Sequence, residues 1–508
     1  MKAALQSGGL AALLGLTVAC GAAEPSPQHE GPVPDLAGAH LECVYATPGH
    51  LGGLDEALAE GMQARLLGPD GALLATLTPD AAGRFSASHE AAAGEALTLE
   101  VGDAQVSFRV RDPAEALAAA VMPSLGGVGA VPNDLIVAGP AADSHGVVVR
   151  SGDNAVSPLD LGTGLSGAPL GVRLPAVEGP HGPVPAAPWF VTALDAAGTR
   201  VAVSAAGQDR VYVVDLGRGE VVRTLPAPGP VTLDQPFTLP RPADVDGDGT
   251  PEAEVSAFSP RNPQPLAVVQ GRLLVAYASV VEPDRGGATG QVLLPAVVAS
   301  FDLAALDAPP TVRVLEYLNP QELRDDGAGA ALLTCSGAFR IQGVRAVTPG
   351  AVLRLDPVTL EVLAERAFED LLPTTAMTAG GAIWAGSLAR GQVVRIRFED
   401  EGTTTLTLNA LPVDSVFRLI ALPCGLIGAP SFNTDRLHVI DPRTGTLDPA
   451  PFSGPLQVGA GGEVFEGLQV AALRPGRAGV DFVGPDLFVL SGIAARVTPV
   501  ELRKVLGP

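Results

Sequence analysis

A unit of about 40–60 residues recurs along the last three-quarters of this 508-residue chain, and a period of that length built from short strands is the signature of a β-propeller. Each copy closes on an aspartate, a short turn and an apolar run. The clearest closures are Asp160-Leu161-Gly162-Thr163-Gly164, Asp215-Leu216-Gly217-Arg218-Gly219, Asp356-Pro357-Val358-Thr359 and Asp441-Pro442-Arg443-Thr444-Gly445. Before each closure, a strand follows a proline, as at Pro132, Pro188 and Pro263. A second strand and a polar turn such as Gly207-Gln208-Asp209-Arg210 lead to the third strand, and Val221–Leu225 shows the outer fourth. Closures at Asp160, Asp215, Asp302, Asp356, near Glu399, Asp441 and near Thr498 predict an all-β, seven-bladed propeller; six or eight blades fit the same spacing. The closing aspartates suit a structural role, accepting hydrogen bonds from turn amides. The last blade lacks an outer strand of its own, so a strand from the N-terminal side is expected to complete it.

Charged residues are 17% and hydrophobic ones 47%, a globular balance rather than a disordered one. The net charge is −23 and no basic stripe occurs, which argues against nucleic acid and anionic membrane surfaces as partners.

The N-terminus carries the address. Met1-Lys2 precedes an apolar run, Leu10 to Ala19, too short to span a bilayer. Leu16-Thr17-Val18-Ala19-Cys20 resembles a bacterial lipoprotein signal with its lipobox. That resemblance implies a signal peptide over 1–19, a diacylated Cys20 as the mature N-terminus and attachment to a membrane through the lipid. Gly21, rather than aspartate, points to the outer membrane, on its periplasmic or extracellular face. Residues 20–39 are Pro-rich and read as an extended tether. Cys43, Cys335 and Cys424 remain; the compartment permits a disulfide, the odd number leaves at least one thiol, and buried free cysteines are expected.

Residues 40–112 read as a small β-sandwich of short strands between Gly/Asp/Pro turns. The stretch from Leu66 to Phe85 resembles carboxypeptidase-regulatory-like and transthyretin-like modules, which implies a spacer. Residues 113–124 form a helical connector read as a hinge: Asp112 caps it, Pro113 starts it, Glu115 sits three after the cap and Pro123 stops it. The propeller occupies 125–508, with an insertion at about 226–262. The second copy, from Ala197 to Val222, resembles the YVTN-type repeats of bacterial surface propellers. That family includes surface proteins, binding proteins and a lactonase-like branch, so the resemblance specifies blades rather than an activity.

The strongest chemical motif lies in the insertion. Asp244, Asp246 and Asp248 alternate, Gly249 follows, Thr250 offers a backbone carbonyl and Glu252 a last carboxylate. Three carboxylates this close repel one another unless a hard cation neutralises them, and the pattern predicts a calcium loop. It resembles the calcium loops of integrin-type propeller repeats; the alternative is a solvated acidic turn. Asn133, Asp134, Asn262 and Gln264, near the starts of inner strands, are candidates for one mouth of the central channel, and strand-start caps explain them equally well. Seven scattered histidines form no pair, there is no G-x-S-x-G, P-loop or dinucleotide fingerprint, and no catalytic residue is assigned. Trp189 and Trp384 are expected to pack. The sequence therefore favours a non-catalytic outer-membrane lipoprotein whose propeller binds a protein or glycan, with calcium ordering the insertion. The alternative is a periplasmic or surface lactonase or hydrolase with its site at the propeller axis. A quinone-dependent dehydrogenase is disfavoured because the repeats lack recurrent tryptophans.

Overall fold

The computed structural model describes residues 43–506, apart from 56, 126–127, 141–143, 162–170, 180–181, 283–291, 341–344, 388–390, 399–402, 409–414, 460–465 and 475–484. The signal segment 1–19, Cys20, the whole tether and the closure near Glu399 lie outside the described residues.

Blade geometry begins with proline. An inner strand starts at Pro132, Pro188, Pro263, Pro320 and Pro373, where a missing N–H costs no ladder bond and φ is already fixed. The preceding residue is left-handed in four of these, at Val131, Ala187, Asn262 and Asn319. The chain thus reverses in one residue and runs straight into the blade. Within the next three residues each of these strands shifts register against its neighbour, as does Leu468–Leu473 of the last blade. Such bulges re-aim side chains, here toward the axis.

Among the described residues, seven antiparallel sheets of three to five strands follow in order after residue 131, with four two-stranded hairpins set between or within them. Blade 2 is the plainest: Pro188–Ala193, Arg200–Ala205, Arg210–Asp215 and Glu220–Pro226. The innermost strands touch in sequence around the ring, and that of the last blade, Leu468–Leu473, touches that of the first, Pro132–Ala138. The result is a closed β-propeller. Strands are buried on both faces, so they read as continuous aliphatic runs: Val201, Val203, Val211, Val213 and Val214 are fully buried between neighbouring blades. Each such side chain contributes about 1.5–3 kcal/mol. The closing aspartates cap turns as expected: Asp215 accepts from the Arg218 amide at 2.9 Å, and Asp356 from the amides of Val358 at 2.9 Å and Thr359 at 2.7 Å.

The last blade contributes three strands, Leu468–Leu473, Leu487–Ser491 and Arg496–Val500. Its fourth comes from the N-terminal side: Val121 pairs with Val500 and Leu125 with Val497. The connector is therefore part helix, Pro113–Ala120, and part propeller, because Val121 turns extended to meet this edge. Nor is the helix a hinge. The Glu501 amide donates to the Ala120 carbonyl at 2.8 Å, and Lys504 Nζ reaches the Ala119 carbonyl at 3.2 Å.

The N-terminal unit is a sandwich. One sheet holds Val44–Thr47, His50–Gly53 and Phe85–Ser88; the other holds Leu73–Leu77, Ala64–Leu67, Ala96–Val101 and Ala104–Arg109. Its core residues Leu51, Leu66 and Leu97 form one apolar cluster with Leu437, Leu456, Leu487 and Val500 of the last two blades. Cys43 and Cys424 form a disulfide across 381 residues, the pairing the compartment permits, in place of the expected free cysteines; among the described residues Cys335 alone is free, and it is buried. No sequence spacing signals a bridge whose partners are brought together only by ring closure.

Candidate functional site

Antiparallel order divides the ring into two faces. Turns joining first to second and third to fourth strands lie on one face, here the turn face. Connections between blades, and between second and third strands, lie on the other. That second face carries the added hairpins: Val177–Gly179 with Gly182–Val184, Val231–Ala243 with Glu252–Phe258, Val280–Glu282 with Val292–Leu293, and Phe339–Arg340 with Arg345–Ala346. It is the hairpin face.

The sandwich binds the turn face at blade 6. Cys424 lies in the turn after the first strand of that blade, and Asp441 ends the third. Arg84 donates to Asp441 through both terminal nitrogens, at 2.6 and 2.8 Å, the bidentate geometry that makes such pairs strong. Asp55 accepts from Arg84 and from Arg443, completing an alternating network. Burial works to raise the Asp441 carboxyl, but Arg84 and the Arg443 amide outweigh it and hold it below the usual carboxylate range.

The axis holds a second ion network, one layer below the mouth. Asp134 of blade 1 and Glu322 of blade 4 occupy the same place in the repeat, two residues after the opening proline. Arg418, in the segment leading into blade 6, reaches both: 2.5 Å to Asp134 and 3.2 Å to Glu322. Arg324 donates to Glu322 at 2.6 Å and to the Leu419 carbonyl at 2.7 Å. Thr375 of blade 5 donates to Glu322 at 2.6 Å. The Phe190 ring of blade 2 lies 5.5 Å from the Arg418 guanidinium, a cation–π contact. Asp134 also accepts from the amides of Leu135 and Val191. Burial pushes its carboxyl above the usual range, against the pull of Arg418 and those amides. Burial works against the guanidinium too, but Asp134 and Glu322 outweigh it, and the Arg418 pKa ends above the ordinary arginine value. Two carboxylates and two guanidiniums balance, and every carboxylate oxygen is engaged. The group cross-links blades 1, 4, 5 and 6 at the axis.

The four mouth candidates part company. Asp134 belongs to the buried network. Asn133 donates to the Pro188 carbonyl at 3.0 Å and ties blade 1 to blade 2. Asn262 is a left-handed linker: it donates to the Ala206 carbonyl at 3.0 Å, and its oxygen accepts from the Val280 amide at 3.0 Å. Gln264 is half-buried at the mouth. Glu322, Arg324, Thr375 and Arg418 went unread. Aligning the opening prolines puts Glu322 and Thr375 in register with Asp134; Arg418 follows no such proline and leaves no comparable trace. Trp384 packs fully buried, but Trp189 stands 46% exposed on the hairpin face, contrary to the packing expected of it.

The acidic loop sits at the tip of the longest hairpin. Oxygens of Asp244, Asp246, Asp248 and Glu252 all lie within 4.8 Å of one another. Two oxygens on one calcium ion, each at about 2.4 Å, are at most about 4.8 Å apart, so the donor set fits that ion. Loop amides prepare it: Gly247 and Gly249 donate to Asp244 at 2.7 and 3.0 Å, and Val245 to Glu252 at 2.9 Å. Under the same hairpin, a groove of about 930 Å³ runs along the outer strands of blades 3 and 4, lined in part by Leu233, Phe237, Val312 and Tyr317.

No family model matches the chain, and no curated protein matches it either. Solved propellers are similar in shape. A streptogramin B lyase structure aligns over 74% of this chain and 95% of its own, at 11% identity and a TM-score of 0.45. Virginiamycin B lyase from Staphylococcus aureus aligns over 74% and 97%, at 10% identity and 0.45. The Swd1 β-propeller domain of Myceliophteria thermophila aligns over 74% and 98%, at 10% identity and 0.42. What this chain shares with all three is the β-propeller fold alone.

Proposed function

We propose that this chain is a surface-binding propeller of the YVTN-like kind, held to the outer membrane through a lipid on Cys20, and that its hairpin face receives a protein or glycan partner. The observation that carries this reading is the polarity of the ring. The sandwich, which continues into the tether, is fixed to the turn face of blade 6, while every added hairpin among the described residues rises from the opposite face. A molecule tethered on one side presents the other. Calcium would be held by Asp244, Asp246, Asp248 and Glu252, with the Thr250 carbonyl, and would supply positive charge that orders the hairpin tip. Its role there is architectural.

The hydrolase alternative draws on the polar axial cluster, since such chemistry needs convergent carboxylates. Against it, Asp134 and Glu322 already accept from Arg418, Arg324, Thr375 and backbone amides. Both carboxylates are buried and accept at each oxygen, which leaves little capacity for a substrate.

The test is positional. A photo-crosslinking residue at Val347, exposed on the hairpin face, should capture a partner in intact cells. The same residue at Val358, exposed on the turn face, should not. Equal capture from both, or capture from Val358 alone, overturns the reading.

A further inference from the structure

We infer that the mouth of the hairpin face binds a neutral oligosaccharide; this rests on the binding-face reading above and narrows it to one ligand chemistry. The residue after each inner strand's first position recurs around the mouth. In five blades it is Asn133, Trp189, Gln264, Gln321 and Gln469. Four carboxamides and one indole occupy equivalent places, and none carries a charge in a chain whose net charge is −23.

The amides retain unused capacity. Asn133 and Gln321 each commit their NH₂ group, to the Pro188 carbonyl and to Asn319 Oδ1. Their carbonyl oxygens, and both ends of Gln264, take no partner among the described residues. Gln469 lies along Gly492, where even a β-carbon would collide with its amide. All four are half-buried, so each is partly ordered before any ligand arrives. A carboxamide both donates and accepts, matching the dual character of a sugar hydroxyl.

The other half of the mouth is apolar. Trp189 is exposed in blade 2, Val131 is exposed beside it in blade 1, and Ile493 is exposed in blade 7. Ile493 and Phe432 flank Gly467, and Phe432 packs against Phe417 with the rings tilted at 60° and 5.0 Å between centroids. An indole offers a flat apolar face with a polar edge. A pyranose has the same division: one face of C–H groups, and hydroxyls around its edge. An anionic ligand needs charged donors, and no lysine or arginine occupies these rim positions. The Arg418 network lies below the mouth with its charges already balanced, so a neutral ligand meets no unpaired charge there.

The chain's two tryptophans make the test direct, because Trp384 is buried and only Trp189 is open to a quencher. The full chain, in a detergent without a sugar headgroup, is titrated with neutral hexasaccharides of glucose (α- and β-linked), N-acetylglucosamine, mannose and galactose. Hexagalacturonate serves as the anionic control. At least one neutral sugar should shield Trp189 from acrylamide at least twofold and saturably. By calorimetry, Gln264→Ala should weaken that sugar at least tenfold and Trp189→Ala should abolish its binding, with both variants keeping the parent melting temperature. Absence of shielding by every neutral sugar, preference for hexagalacturonate, or binding indifferent to both substitutions overturns the proposal. A photo-crosslink from position 189 to a protein, with sugars inert, overturns the glycan and leaves the binding face standing. Inert sugars with no crosslink from 189 or 347 remove both.

Discussion

At blade 6, the turn face meets the sandwich through a disulfide, four interlocked charges and a shared apolar core. Among the described residues, no other unit lies over the hairpin face of blades 1 to 4, and its additions rest on one another and on blade edges: Phe237 packs beside Leu293, Leu318 and Ala338. The two regions use similar residues for opposite ends. On the turn face and at the axis, carboxylates are consumed by arginines. On the hairpin face, Asp244, Asp246 and Asp248 show no arginine partner among the described residues, and their oxygens lie within 4.8 Å of one another, close enough to share an ion. Charge neutralised inside the chain builds structure; charge left open waits on something from outside.

If that contrast is right, damage to the seam between N- and C-terminal strands should be the most costly. Truncation before Val500 removes Val500, Leu502, Val505 and Leu506, all buried, and strips the partner from Val121. At no less than about 1.5 kcal/mol each, the loss is about 6 kcal/mol, and calorimetry should show a melting point lower by 10 °C or more. An unchanged melt would mean the seam does not close the ring.

Next comes the axis. Arg418→Met leaves Asp134 and Glu322 buried without their shared partner, a loss of about 4 kcal/mol in denaturant melts. Adding Asp134→Leu and Glu322→Leu should recover much of it. If Arg418→Met instead abolished a hydrolytic activity without loss of stability, the axis would be a site and not a brace.

Reducing the disulfide, or Cys43→Ser, should cost about 3 kcal/mol and let the sandwich loosen ahead of the ring. A single unshifted transition would show that the shared core suffices.

A smaller effect is set by pH. Burial raises the Asp486 carboxyl to about 6, against the Leu502 amide that donates to it at 2.9 Å. Its folded pKa exceeds its unfolded value, so its contribution is complete below about 4 and is lost as pH rises through about 6. Asp486→Asn should therefore gain on the parent by about 2 kcal/mol between pH 4 and 7.5. The Glu501 shift is downward and runs the other way; its charge adds to the upward push on Asp486, and the substitution removes that repulsion as well.

The smallest effect belongs to the hairpin face. At ten times its dissociation constant, calcium stabilises by about 1.4 kcal/mol, and Asp246→Ala should abolish both that gain and the calorimetric titration. Calcium that bound equally to the variant would return the loop to a solvated acidic turn.

Local features of this architecture were legible in the sequence. Opening prolines, closing aspartates and aliphatic strands are short-range signals, and they placed the blades. Even the missing outer strand could be read, because a strand count is local. What joins distant segments could not. Cys43 and Cys424 have no informative spacing, and Arg84 meets Asp441 across 357 positions. Asp134 looked like a mouth residue because sequence shows that a polar group begins a strand, not how far a bulge turns it inward. Trp189 failed for a related reason: an aromatic among strand residues packs unless the register aims it outward.

The disulfide also decides where mechanical load travels. A pull on the tether meets Cys43, the very residue bonded to Cys424, before the first sandwich strand at Val44–Thr47. Tension therefore passes at once into blade 6 and across the ring to whatever the hairpin face holds. The sandwich, the helix and the seam strand at Val121–Leu125 lie beyond that junction and are spared. Without the cross-link, the same force would run through seventy-odd residues of sandwich and peel the seam strand from Val500, opening the ring at the point where it was joined.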